Sequence, residues 1–189
     1  MHSGLKKLPI GIQSFEQLIR EGAVYVDKTK NIYEILKPGF GAYFLSRPRR
    51  FGKSLLVSTL EAIFKNKRHL FKGLWLDSSD YVWEEFPVIK IDMSAVEKST
   101  SERLYSGLKF AVLANASKEE INLDENKAPS LLFQELISAL VKKYNQQVVI
   151  LIDEYDDPII RHINDPEMAR KNREVLQDFY KIMKSENEN

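Results

Sequence analysis

Two stretches decide the fold: Arg47 to Ser54, RPRRFGKS, and Val148 to Glu154, VVILIDE. The first follows an apolar run, Gly41 to Ser46 (GAYFLS), that reads as a buried strand, and leads into a helix starting near Ser54. Leu55, Leu56, Leu60, Ile63 and Phe64 give that helix its apolar face. A strand-to-helix loop ending Gly-Lys-Ser carries the parts of a phosphate cradle. Gly52 lets backbone N–H groups approach phosphate oxygens, Lys53 reaches the β- and γ-phosphates, and Ser54 supplies a hydroxyl for Mg²⁺. The complete GxxxxGK[ST] pattern asks for glycine where Arg47 stands, so the motif is degenerate. The second stretch opens with the most apolar five-residue run in the chain, Val148 to Ile152, which predicts a central strand buried on both faces. Its end delivers two carboxylates in the manner of a Walker B segment: Asp153 to hold the metal, Glu154 to orient and polarise the attacking water.

Around these stretches, strands alternate with helices. Short helices are predicted after Ser14 and over Lys28 to Leu36, a second strand over Val88 to Met93, and helices over Ser101 to Ala116 and Ser130 to Tyr144. A last helix opens at Asp165-Pro166 and runs to about Met183. The pattern is α/β with a mainly parallel sheet. The expected organisation is a preamble over residues 1–38 packed on the core, a phosphate-loop domain over 39–184 and a polar tail over 185–189.

Composition narrows the functions. The chain has 189 residues, no cysteine and three histidines, so thiol catalysis and thiolate zinc sites are excluded, and the separated histidines lack metal-ligand spacing. Net charge is +1, which implies no global attraction to nucleic acid or membrane. Charge is uneven, however: Lys37 to Lys72 holds nine Lys or Arg residues against one acid, Glu61. Within it Arg47, Arg49 and Arg50 either contact phosphates as cationic forks or form a basic surface turn. Asp156 and Asp157, just after the strand end, read as a solvated turn. With no apolar run long enough to span a bilayer, a cytoplasmic location is expected.

RPRRFGKS and LIDEYDDPI, together with LPIG at Leu8 to Gly11, YVDKT at Tyr25 to Thr29 and YFLSRPRRFGKSLL at Tyr43 to Leu56, resemble the blocks of the AAA-ATPase-like family of bacteria and archaea. The resemblance implies a P-loop ATPase domain of the additional-strand class, with ATP and Mg²⁺ as cofactors. It also implies a PD-(D/E)xK nuclease-like domain further along the chain. Gly52, Lys53 and Ser54 match the family's phosphate loop, Asp153 and Glu154 its metal and water-activating positions, and Arg47 its own departure from the standard motif. Asp27, Lys28 and Thr29 match as sequence without an assigned role. Only one helix is predicted after Glu154, so the strand that lies between the two motif strands in this class is missing, and an incomplete sheet with exposed edges is expected.

The expected function is ATP binding with Mg²⁺-dependent hydrolysis as the N-terminal module of a larger protein, with these residues alone weak or inactive. The alternatives are a non-hydrolysing nucleotide switch or interaction module, and nucleic-acid binding through the Arg47 to Lys72 patch. A homo-oligomer is compatible with either.

Overall fold

The computed structural model describes residues 6–39, 41–48 and 50–185. Among them it has seven α-helices and two strands, grouped in two compact units that divide between Phe86 and Pro87.

The first unit is helical. Ser14 starts α1 (Phe15–Arg20) by accepting the Gln17 N–H at 3.3 Å, as an N-cap serine does. After it come α2 (Thr29–Leu36), α3 (Lys53–Phe64) and two 3₁₀ turns, Arg68–Phe71 and Trp75–Ser78. Phe15 is fully buried and packs its ring 4.7 Å from Phe71 and 5.1 Å from Tyr25. Ile32, Ala62, Ile63 and Leu76 complete this core. The Phe15 N–H also donates to the Ser58 hydroxyl at 2.9 Å, which ties α1 to α3.

One expectation fails here. Gly41 to Ser46 is not a strand, and Tyr43, Phe44 and Leu45 are exposed by 57%, 71% and 43%. An apolar run becomes a strand only when a neighbour takes up its N–H and C=O groups, and no described strand flanks this one.

The second unit runs β1 (Val88–Asp92), α4 (Ser101–Lys118), α5 (Pro129–Tyr144), β2 (Val149–Asp153), α6 (Asp157–Ile160) and α7 (Pro166–Ser185). Thr100 caps α4 through the Arg103 N–H, proline occupies the first turn of α5, and Asn145 ends α5 in the left-handed region at φ 51°. The strands pair in parallel from Val88 opposite Val149 to Asp92 opposite Asp153, and the two-helix crossover joins them as a parallel pair requires. β2 buries Val149, Leu151 and Asp153 and leaves Ile150 and Ile152 half-buried, so its burial is less symmetrical than its composition suggests.

Leu104, Leu108, Leu132, Phe133, Leu136, Leu176 and Phe179 fill the core between the helices and the sheet, with Phe133 and Phe179 stacked at 4.8 Å. On β1, Lys90 faces away from β2, and there Asn115 of α4 accepts its N–H at 3.3 Å and donates to its carbonyl at 3.0 Å. Gly107 lets α4 approach: a Cβ there would stand 2.8 Å from Val96 Cγ1 and 3.0 Å from the Glu97 backbone. The described elements are compatible with a P-loop-like α/β fold.

Candidate functional site

The candidate residues form two groups, one in each unit. In the first, Gly52 occupies the N-cap of α3 at φ 76°, ψ 24°. That left-handed conformation is open to glycine at little cost. It turns the loop so that α3 begins at Lys53, with the unpaired N–H groups and positive dipole end of its first turn directed to the loop. The Lys53 ammonium reaches back and donates to the Arg47 carbonyl at 3.0 Å. Arg47 and Arg50 are exposed, and Arg50 is itself left-handed at φ 68°. Arg49 lies outside the described residues. The fit to a phosphate chain is chemical: a helix head without a side-chain cap, a lysine folded over the loop and exposed arginines beside it.

In the second group, β2 carries Asp153 to the end of the sheet, where the residue is 8% exposed. One carboxylate oxygen accepts the Glu154 N–H at 3.0 Å, and among the described residues no group engages the other. Glu154 sits at φ 49°, a conformation that costs a non-glycine residue about 1–2 kcal/mol. Its carboxylate has no partner among the described residues. Asp92 ends β1 directly across the register from Asp153. The sequence signal for it was the same as for Asp153, an acid closing an apolar strand.

Asp157, which the sequence places in a solvated turn, is buried: Lys98 Nζ lies 2.9 Å and Arg161 Nε 2.8 Å from its Oδ2. Burial pushes its carboxyl up, but hydrogen bonds and charge from Lys98 and Arg161 outweigh that and hold it below the ordinary aspartate range. Lys98, 5% exposed, also donates to the Met93 and Ser94 carbonyls. Sequence reading passed over it because its partner is fifty-nine residues away.

The YVDKT block has a structural task. Asp27 accepts the Thr29 N–H and hydroxyl at 2.8 and 2.7 Å and the Trp75 N–H at 2.7 Å. Buried Thr29 accepts the Leu76 N–H at 3.0 Å. The pair thus clamps the head of the second 3₁₀ turn onto the start of α2. Burial raises the Asp27 pKa, yet these hydrogen bonds bring it below the usual 3.8. A lowered folded value makes the contribution complete above the unfolded pKa and loses it as pH falls through the folded one. Asp27→Ala should cost about 1–2 kcal/mol at neutral pH. In urea denaturation from about pH 6 to about pH 3, the variant should lose less stability than the parent.

The basic stretch is partly neutralised in place, since Lys65 pairs with Glu61, Lys67 with Glu16 and Arg68 with Asp77. Among the described residues there is no group of three or more His, Asp or Glu side chains suited to a metal, and no helix is long and apolar enough to cross a membrane.

Comparison with known proteins agrees with the family resemblance. An uncharacterized protein in the vnfD 5′ region of Azotobacter chroococcum mcd 1 is 38% identical over 185 residues, 95% of this chain. The chain spans about a third, 34%, of that relative's length. No solved structure matches. The family model described as Predicted AAA-ATPase matches residues 9–189, a family whose character points to nucleotide binding, and the chain belongs to this AAA-ATPase-like family.

Proposed function

We propose that this chain binds ATP with Mg²⁺ and serves ATP hydrolysis in the polypeptide that carries it. The observation that supports the reading best is the head of α3, where left-handed Gly52, an uncapped first turn and the returning Lys53 ammonium form a cradle for an anion. In it, loop N–H groups and Lys53 bind the β- and γ-phosphates, with Arg47, Arg49 and Arg50 as flanking cations. Ser54 and Asp153 are the oxygen ligands offered to the metal, which when bound neutralises charge on the phosphates. Glu154 orients a water for in-line attack and accepts its proton. Positioning and electrostatics do most of such a reaction.

Calorimetric titration with ATP tests the binding step. Affinity should rise at least roughly tenfold when Mg²⁺ is present, as expected where metal and phosphate are held together. Equal affinity with and without the metal would remove Ser54 and Asp153 from the site. Binding without any turnover by the intact polypeptide would leave the nucleotide-switch reading in place of hydrolysis.

A further inference from the structure

Glu154 is held in an unusual backbone conformation by a closed ring of hydrogen bonds, and the ring runs through a buried lysine. The Asp153 carbonyl accepts the Met93 N–H at 3.0 Å. The Met93 carbonyl accepts from Lys98 Nζ at 2.5 Å, and the same ammonium lies 2.9 Å from Asp157 Oδ2. The Asp157 N–H then donates to the Glu154 carbonyl at 2.9 Å. Inside the ring, the Glu154 N–H is taken by Asp153 Oδ1. The peptide groups on both sides of the Glu154 Cα are therefore pinned, one through both its N–H and C=O and the other through its carbonyl. Pinning them fixes φ and ψ, and so the direction in which the Glu154 side chain leaves the backbone.

We propose that the Lys98–Asp157 pair is a positioning device for Glu154: it holds the turn after β2 closed against the loop after β1, and so fixes the direction from which the Glu154 carboxylate holds the attacking water. The inference rests on the hydrolysis reading above for its chemistry, though not for its geometry. Lys98 and Asp157 touch no reactant and are positioning residues. Their side chains are 6% and 9% exposed, so water does not readily replace the contact. Arg161, the other partner of Asp157, is 58% exposed and stands outside the ring.

The test compares the intact polypeptide with its Lys98→Met, Asp157→Asn and Arg161→Gln variants, using steady-state hydrolysis and amide NMR. A short intraresidue HN–Hα distance marks positive φ at Glu154 and is read independently of turnover. In Lys98→Met that signature should disappear and kcat should fall about 10²-fold with KM for ATP nearly unchanged, the size expected when a reacting group is misplaced by about 1 Å. Arg161→Gln should alter neither. If Lys98→Met fails to fold, Asp157→Asn, which preserves side-chain size, carries the same expectation. A folded variant that keeps the positive-φ signature overturns the proposal, and so does one that loses the signature while keeping full kcat and KM. If the parent shows no turnover, the hydrolysis reading fails by itself, and the NMR signature alone then decides whether the ring holds Glu154.

Discussion

Glu154→Gln should abolish turnover while leaving Mg²⁺–ATP binding intact. The amide keeps the size and backbone of the residue but cannot accept a proton from water, and loss of a positioned base removes about 10²–10⁴-fold in rate. The carboxylate is half-exposed and has no partner among the described residues, so its removal orphans nothing and the melting temperature should stay within the range of a neutral surface substitution. Single-turnover hydrolysis beside equilibrium binding separates the two effects. A rate lowered less than about threefold would mean that Glu154 is not the base. That comparison also distinguishes a base from a ligand, since a metal-holding carboxylate would take affinity with it when lost.

The second large effect is expected at Lys53. Its only described hydrogen bond, to the Arg47 carbonyl, lies at the solvent-exposed surface, so Lys53→Ala should change stability by no more than about 0.5 kcal/mol. Removing a charge-assisted contact to phosphate, by contrast, should weaken ATP binding about 10²-fold, corresponding to the upper range of such hydrogen bonds. Titration of the variant checks this directly. Unchanged affinity would place the phosphates elsewhere than at the head of α3.

Local chemistry explains which features the sequence made legible. Ser14 caps the helix it precedes, and Pro166 opens α7 where the Asp165-Pro166 pair predicts it. Gly52 sits ahead of Lys53 at the head of α3 because the left-handed turn there costs glycine least. What stayed hidden depended on distant partners. GAYFLS has the composition of a strand, but strand formation belongs to a pair and not to a segment. Lys98 and Asp157 are ordinary charges until the crossover from β1 to β2 brings them within 2.9 Å in a dry setting. Asp27 and Thr29 likewise acquire their role from a 3₁₀ turn some forty-seven residues on. Both clamps were present in the sequence as conventional polar residues, with nothing local to mark them.

The Asn115 amide that α4 lays against β1 has a consequence for how the sheet resists self-association. An unoccupied strand edge is a template for another chain, and a side-chain amide that satisfies both the N–H and the C=O of Lys90 removes the middle rung from that template. β2 has no such cover among the described residues. Its alternate residues Ile150 and Ile152 turn their backbone groups away from β1, so the adhesive side of this small sheet is a ledge two residues long. One edge is thus plugged by chemistry and the other is limited by brevity, which makes β2 the side from which the sheet could be extended.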